Sequence, residues 1–246
     1  MKQPNKKLFL AKMHDYCAVD EPKLTVVCIH GIASNSGTYN NALQYLEEAA
    51  SLKAVRFVTF DLLGSGESLK DDTLEYDYNE QLEALHNSIE KLEIKTPLVL
   101  VGHSMGTFIV VRYANTYKDS VSQLILISPP VYTEENLQDP AFETAIKAFG
   151  NAVSAKEPKI LQEKAFNNSL QNIVMDKSNY KNLLELKTPA VMIYGNADQL
   201  IGAFNYPKLL NDNRKYLSAM ETEGGHSISR NKYTKMIGVL EGILHA

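Results

Sequence analysis

Short, almost continuously apolar runs alternate with longer amphipathic segments along most of the chain, and this alternation constrains its fold more than any other feature. Runs so rich in Val, Ile and Leu are typical of parallel strands that are buried on both faces. Strand–helix–strand units imply right-handed crossovers, so the sequence predicts an α/β protein with a mostly parallel, doubly wound sheet. The predicted strands are residues 24–29, 55–60, 98–101, 123–127, 190–194 and about 215–220.

Between these strands, apolar residues recur with the period of an amphipathic helix. The predicted helices cover about residues 39–50, 78–92, 104–117 and 228–244. Ahead of the first of these strands, the sequence predicts an antiparallel pair at about 7–13 and 15–19, with a turn at about 20–23.

Residues 131–188 interrupt the alternation, because they contain no convincing strand but do contain signals for helix starts. Asp139 stands in an N-cap position before Pro140, which favours the first helical position. Ser154 and Glu157 have the spacing of a capping box. A plain crossover needs only about a dozen residues. We therefore expect one core domain, residues 1–130 and 189–246, interrupted by a helical insertion.

Composition excludes several classes of protein. The 246 residues carry 25 Lys and Arg against 29 Asp and Glu, a net charge of -4, which argues against nucleic acid as the main partner. No apolar window is long enough to span a membrane, and the apolar run near the start is too short for a signal peptide. Cys17 and Cys28 could pair only if neighbouring strands bring them together, and we expect instead two buried thiols in a reducing cytoplasm. The chain is thus expected to be cytoplasmic; its oligomeric state is not predicted.

The pentapeptide from Gly102 to Gly106 reads GHSMG and fits the pattern G-x-S-x-G, directly after a predicted strand and before a predicted helix. This context is typical of a nucleophile elbow, in which the chain turns so sharply at the serine that only glycines fit on either side. The turn would expose the Ser104 hydroxyl at the carboxyl end of the sheet, where open α/β sheets place their sites. The pattern therefore predicts Ser104 as a nucleophile.

A serine hydroxyl is a weak nucleophile and needs a base within hydrogen-bond reach. Of the six histidines, His226 lies in the glycine-containing loop between the last predicted strand and the last predicted helix. Read in isolation, a loop histidine is usually a solvated surface residue, but the chain order Ser…Asp…His favours His226 as the base. We expect His103, on the elbow itself, to point elsewhere.

Two carboxylates follow strands and compete for the third role, which is to orient the imidazole. Asp198 follows the strand at 190–194, in a loop that alone is equally typical of a turn, and it has the expected place in the chain order. Asp61 precedes Ser104 and a glycine-rich turn, whose backbone amides we expect it to bond. We therefore predict Asp198 as the catalytic carboxylate that orients the imidazole and Asp61 as a structural residue.

A tetrahedral oxyanion needs two backbone amides that are already in place. The residue after the nucleophile, Met105, supplies one such amide in nucleophile elbows. The second is expected from the loop after the first core strand, which reads His-Gly-Ile-Ala from His30, and Ile32 is the predicted donor.

The order of these motifs resembles the α/β-hydrolase fold superfamily, and more narrowly its small, cofactor-free serine hydrolases with a helical cap. The resemblance covers the chain from about residue 24 to its end, outside the insertion. It implies a catalytic triad of Ser104, Asp198 and His226, no cofactor or metal, and a cap formed by residues 131–188 over the pocket. Thr107 departs from the pattern, since many relatives have another glycine there, and we expect it to affect helix packing rather than the triad.

Several relatives do not fit these motifs. Epoxide hydrolases and haloalkane dehalogenases attack with an aspartate, and prolyl aminopeptidases usually carry a GGSWG elbow. Carbon–carbon hydrolases typically have a tryptophan beside the catalytic histidine, where this chain has Ser227. The resemblance therefore implies a hydrolase of small-molecule carboxylic esters, such as a carboxylesterase or a monoacylglycerol or lysophospholipid lipase. A thioesterase, an amidase and a binding protein that keeps the triad remain alternatives.

Apolar residues of the insertion are candidates for an acyl pocket, although their helical spacing is more typical of packing between the cap and the sheet. These residues are Val131, Tyr132, Leu137, Phe142, Ile146 and Phe149.

Overall fold

The structure is a computed structural model that describes residues 7–140, 144, 148 and 163–245. In this part of the chain, seven strands form one sheet in the order β1-β3-β2-β4-β5-β6-β7. β1 is antiparallel to β3, and all other neighbours are parallel. The predicted mostly parallel, doubly wound sheet is confirmed. The strands are β1 Ala11–Tyr16, β2 Leu24–Ile29, β3 Val55–Asp61, β4 Leu98–His103, β5 Gln123–Ile127, β6 Ala190–Gly195 and β7 Leu217–Thr222.

The helices expected between the strands are present, and their ends lie within two residues of the predicted ones. Short 3-10 turns precede or follow some of them, at Ser36–Tyr39, Ala50–Leu52 and Ala203–Asn205. The helices with described bounds are α1 Asn40–Glu48, α2 Tyr78–Glu90, α3 Met105–Thr116, α4 Glu134–Leu137, α5 Glu163–Ser169, α6 Ser178–Leu184, α7 Tyr206–Asp212 and α8 Arg230–Leu244.

The central strands are buried on both faces, which explains their unbroken apolar sequences. In β2, Val27 and Ile29 face a core that also holds residues of α2 and α3. Val26 and Cys28 face the opposite core, which is closed by α1 and α8. Successive side chains of a strand point to opposite faces, so a strand that feeds two cores is apolar at nearly every position; the buried exception in β2 is Thr25, whose hydroxyl is hydrogen-bonded to that of Thr96.

The predicted antiparallel pair at the start of the chain is wrong: a single strand, β1, occupies this region and pairs with β3. The guanidinium of Arg56 on β3 donates to both carboxylate oxygens of Asp15, at 2.8 and 2.9 Å, and fixes β1 on the sheet. A two-stranded hairpin is marginal in water. As the edge strand of a large sheet, β1 instead provides hydrogen-bond partners for the backbone N–H and C=O groups of β3.

In the described part of the insertion between β5 and β6, all regular structure is helical: α4, α5, a π-helical turn at Leu170–Val174 and α6, joined by turns and loops. Pro140 has helical backbone directly after Asp139, as the sequence predicts. Ser154 and Glu157 lie outside the described residues. The side chains of α5 and of the π-helical turn pack into the core above α2 and α3. The role of this insertion as a cap stays a prediction.

Among the described helices, none combines the length and the apolar character that crossing a membrane requires.

Candidate active site

The turn between β4 and α3 holds Ser104 in a conformation that side chains rarely adopt, with φ 50° and ψ -121°. A Cβ on Gly102 would lie 2.6 Å from the carbonyl oxygen of Gly106. A Cβ on Gly106 would collide with the carbonyl oxygens at the end of β2. The elbow therefore needs both glycines. Thr107 fits beside it, because its hydroxyl donates to the Ser104 carbonyl at 2.6 Å.

Replacing Gly106 with alanine is expected to lower the free energy of unfolding by about 2–3 kcal/mol, since the new methyl group meets rigid backbone. Urea unfolding followed by circular dichroism measures this change. Gly238 in α8 is the matched control, because a Cβ there has no atom within 4 Å. Gly238→Ala should stabilise the protein by about 0.5–1 kcal/mol through its higher helix propensity. Equal effects of the two substitutions would contradict this packing of the elbow.

The structure brings the three predicted triad residues together. The Ser104 hydroxyl donates to Nε2 of His226 across 2.9 Å. On the other side of the ring, Nδ1–H of His226 donates to the Asp198 carboxylate, whose oxygens lie 3.0 and 3.1 Å away. The hydrogen-bond network thus assigns the neutral His226 tautomer with its proton on Nδ1. In this state, Nε2 presents a lone pair to the serine hydroxyl.

Backbone contacts between two loops place Asp198 beside His226. Asn196, in the turn after β6, donates from its amide to the Thr222 carbonyl at 2.9 Å, and the amide of Ala197 donates to the Gly224 carbonyl at 3.0 Å. A side chain at Gly195 would strike the backbone of the loop after β7. The two loops therefore run in contact at the carboxyl end of the sheet.

The Asp198 side chain is fully buried, with 0% of its surface exposed, whereas that of His226 is 17% exposed. Burial raises the pKa of Asp198, but the hydrogen bond from His226, the positive charge that His226 carries when it is protonated, and the amide of Leu200, 3.0 Å away, lower it further than burial raises it. The pKa of this carboxyl is therefore below its ordinary value, and Asp198 is ionised at neutral pH. An ionised carboxylate at this position can stabilise a positively charged imidazole.

The loop that carries Ile32 lies directly against the elbow. A Cβ on Gly31 would lie 3.0 Å from the Cβ of Ser104. His30 fixes this loop: its Nδ1–H donates to the Gly31 carbonyl at 2.8 Å, and its Nε2 accepts from the Leu62 amide at 2.9 Å. Within the described ranges, the amides of Ile32 and Met105 have no hydrogen-bond acceptor.

Asp61 has the structural role that the sequence predicts. One carboxylate oxygen accepts from the amide of Ser36 at 2.7 Å, and the other accepts from the amide of Glu67 at 2.9 Å. Both oxygens are thus occupied by backbone amides of two loops, and Asp61 connects these loops.

The expectation that His103 points away from the site is wrong. Its ring centroid lies 5.2 Å from that of His226, and its Nε2–H donates to the His226 carbonyl at 3.1 Å. The reason is that the loop after β7 folds over the end of β4 and covers the His103 ring. Burial, with the nearby charge of His226, lowers the pKa of His103 to about 3.

The free energy of unfolding is expected to fall as the pH drops below about 6.5. Below this pH, His103 binds a proton in the unfolded chain but not in the folded protein, where it is buried. Since the folded state has the lower pKa, its stabilisation is present above the unfolded pKa and is lost on acidification. His103 contributes a loss of about 2 kcal/mol by the time the pH has fallen to about 5. Urea unfolding at several pH values measures it, and His103→Gln should make the pH dependence shallower. An unchanged slope in that variant would contradict the assignment.

Two residues that contact the His226 loop were not singled out from the sequence. Ser128 follows β5, and Lys232 lies in the first turn of α8; both bond the loop through their side chains. One signal for Lys232 is present in the sequence. It shares a helix face with Met236 and Leu240, both fully buried, at a spacing of four residues.

Among the candidate pocket residues of the insertion, Val131 and Tyr132 are buried and Leu137 is half-buried. The Tyr132 hydroxyl donates to the Leu200 carbonyl and so connects the start of the insertion to the Asp198 loop. Phe142, Ile146 and Phe149 lie outside the described residues. Within the described part of the chain, no group of three or more His, Cys, Asp or Glu side chains is arranged to hold a metal ion.

Fold and sequence place the chain in the α/β-hydrolase superfamily. The model of the family described as "Serine aminopeptidase, S33" matches residues 20–183, and the chain belongs to this family.

The individual curated relatives match only part of the chain. The chain is 32% identical over 121 residues to "Probable lysophospholipase BODYGUARD 5" of Arabidopsis thaliana, a match that covers 49% of this chain and 27% of that protein. The chain spans between 22% and 54% of the length of this relative and of seven other curated relatives.

Two solved structures share the whole fold at low identity. An esterase from Exiguobacterium antarcticum superposes with a TM-score of 0.71 at 17% identity, covering 96% of this chain and 95% of that one. A monoacylglycerol lipase from Paleococcus ferrophilus gives 0.66 at 21% identity, covering 96% and 98%.

Proposed function

We propose that this chain hydrolyses carboxylic esters of small molecules through an acyl-enzyme, with Ser104 as nucleophile, His226 as base and Asp198 as its orienting carboxylate. The observation that carries the proposal is the unbroken line of hydrogen bonds from the Ser104 hydroxyl through both ring nitrogens of His226 to a buried, ionised Asp198. This arrangement places a base within hydrogen-bond reach of the Ser104 hydroxyl, which is a weak nucleophile without one.

In the first step, Nε2 of His226 takes the hydroxyl proton as Ser104 Oγ attacks the ester carbonyl carbon. The amides of Met105 and Ile32 donate to the oxyanion of the tetrahedral intermediate. The His226 imidazolium then gives its proton to the departing alkoxide oxygen, and the acyl-enzyme forms. Asp198 keeps its charge throughout and stabilises the imidazolium.

In the second step, water replaces the alcohol. His226 removes a proton from the water as its oxygen attacks the acyl carbon, and the same two amides hold the second oxyanion. The proton returns through Nε2 to Ser104 Oγ, which leaves as a hydroxyl, and the carboxylic acid is released.

The positions of these residues along the chain support the proposed division into core and cap. Ser104 precedes the insertion at 131–188, whereas Asp198 and His226 follow it, so residues 1–130 and 189–246 complete the site only together. At the base of the insertion, α5 packs so closely on the turn after β3 that a Cβ on Gly64 would overlap the side chain of Ala165. We propose that the insertion covers the pocket and selects the acyl group.

The names of several relatives support an ester as substrate, since they describe a lysophospholipase, an esterase and a monoacylglycerol lipase. The family description instead names an aminopeptidase. A substrate panel decides between these classes: p-nitrophenyl esters of increasing acyl length, an acyl thioester, and amino-acid p-nitroanilides.

We expect kcat/KM for the preferred p-nitrophenyl ester to exceed that for every anilide by at least about 100-fold, which corresponds to about 2.7 kcal/mol of transition-state stabilisation. Preference for short acyl groups indicates an esterase, and preference for long ones indicates a lipase-like enzyme. Higher kcat/KM for the thioester or an anilide would contradict the proposed substrate class. Absence of turnover across the panel would favour a binding protein.

A further inference from the structure

The ammonium group of Lys232 is buried directly beneath the loop that carries His226. Lys232 lies in the first turn of α8, and none of its surface is exposed. No described carboxylate lies within ion-pair distance of its Nζ. A buried charge without a paired charge is costly, so this position calls for a specific explanation.

The oxygens around Nζ belong almost entirely to the His226 loop. Nζ donates to the Gly225 carbonyl at 2.5 Å, to the Ser128 hydroxyl oxygen at 2.6 Å and to the Ser227 carbonyl at 3.1 Å. The carbonyl of His226 lies 3.2 Å away. Three consecutive carbonyls of the loop thus converge on one side chain.

The number of donors matches a charged ammonium. Its three protons serve the three nearest oxygens. The His226 carbonyl receives further bonds from the Ser128 hydroxyl and from Nε2–H of His103, both at 3.1 Å. A neutral amine has only two protons and would leave one of these oxygens unpaired. Burial lowers the pKa of Lys232 and the charge of Asp198 raises it, whereas the surrounding acceptors favour the protonated form.

Ser128 occupies a backbone position that suits glycine better than serine. It follows β5 with a φ of 49°, in the left-handed region. Its hydroxyl accepts from Lys232 and donates to the His226 carbonyl. The hydrogen bonds of its side chain therefore explain why this position holds a serine rather than a glycine.

The loop has little stiffness of its own, because Gly224 and Gly225 precede His226 and glycine is the most flexible residue. A Cβ on Gly225 would meet no atom within 4 Å, so neighbouring side chains do not confine the backbone there. The bonds to the carbonyls of residues 225–227 supply the missing constraint.

We infer that Lys232 and Ser128 are positioning residues, which hold the loop carbonyls so that the His226 imidazole stays between Ser104 and Asp198. The inference rests on the proposed function for its catalytic consequence. Its structural consequence, an ordered loop at 223–229, is independent of that function.

The test compares Lys232→Met, which keeps the chain length and removes the charge, with Lys235→Met, an exposed lysine on the same helix. Both kcat and KM are measured for a p-nitrophenyl ester, well below the unfolding midpoint of each variant. We expect Lys232→Met to lower kcat by about 10- to 100-fold, because small misplacements of a catalytic group have effects of that size. KM should change less than threefold, and Lys235→Met should match the parent protein.

Ser128→Gly separates positioning from folding. The glycine relieves the backbone conformation, so the unfolding midpoint should stay constant or rise, while kcat falls about tenfold with the lost hydroxyl. A purely structural role predicts the opposite pattern, with kcat unchanged for the folded protein.

Amide hydrogen exchange over residues 223–229 provides the readout that does not depend on activity. Exchange should accelerate in Lys232→Met and Ser128→Gly but not in Lys235→Met. If the parent hydrolyses esters and both variants keep its kcat and its exchange rates, the inference is wrong and the proposed function stands. If the parent shows no turnover, the proposed function is wrong. Independently of turnover, unchanged hydrogen exchange in both variants would overturn the inference that Lys232 and Ser128 order the loop at residues 223–229.

Discussion

Ser104→Ala should lower ester turnover by about 10⁶-fold, the loss expected when a triad that acts as a unit has no nucleophile. Ser104 is only 8% exposed, and among the described residues its hydroxyl is hydrogen-bonded to His226 alone. Alanine therefore removes the reacting atom and leaves the elbow, the loops and the oxyanion amides in place. Steady-state kinetics with a p-nitrophenyl ester measure the loss.

The matched control is Ser120→Ala, an exposed serine in the turn after α3 whose hydroxyl donates to the Tyr117 carbonyl and is hydrogen-bonded to Tyr113, away from the candidate site. This variant should keep the turnover of the parent. The unfolding midpoint of Ser104→Ala should stay close to that of the parent. A loss of activity smaller than tenfold in Ser104→Ala would contradict its assignment as nucleophile.

The second large effect is expected from Asp198→Asn, which should lower kcat by about 10⁴-fold through the wrong histidine tautomer. The amide of Leu200 donates to Oδ1 at 3.0 Å, so an asparagine keeps its oxygen there and turns its amino group toward His226. Nδ1 of the imidazole must then accept instead of donate. The proton moves to Nε2, where the ring can no longer act as a base for Ser104.

Asp61→Asn is the control for this prediction, because Asp61, the last residue of β3, is the carboxylate that competes with Asp198 for the third triad position. Its oxygens accept from the amides of Ser36 and Glu67. Replacing it should lower the free energy of unfolding by about 1.5–3 kcal/mol, the range for hydrogen bonds to a charged group. Its kcat per folded molecule should fall far less than that of Asp198→Asn. A lower kcat in Asp61→Asn than in Asp198→Asn would overturn the assignment of Asp198 as the carboxylate that orients His226.

Features whose physical cause is local could be predicted from the amino-acid sequence alone. The bounds of β2 and β5 match the predicted ones, because a strand buried on both faces is marked by a nearly continuous apolar run. The elbow is local only in part: a Cβ on Gly102 would meet the backbone of Gly106, four residues on, whereas a Cβ on Gly106 would meet the carbonyl oxygens of Ile29 and His30 at the end of another strand. The G-x-S-x-G pattern could still be recognised, because its residues are close together in the sequence.

Features that depend on distant partners could not be predicted in this way. The strand β1 pairs with β3 rather than with its own neighbours because Arg56, far along the chain, bonds Asp15. The orientation of His103 depends on a loop 123 residues further on. Lys232 shows the same limit: its helical position predicts burial, but its acceptors become evident only when β5 and the His226 loop are in contact.

Covalent labelling with a fluorophosphonate, followed by tandem mass spectrometry of the modified peptide, tests the role of Ser104 as an activated nucleophile most directly. Attack of an activated serine on phosphorus forms a stable adduct, so the reagent reports both the nucleophile and its activation. We expect one adduct, on Ser104, that is absent in Ser104→Ala and forms much more slowly in Asp198→Asn. An adduct on another residue, or labelling of the parent no faster than that of Asp198→Asn, would contradict the proposed triad.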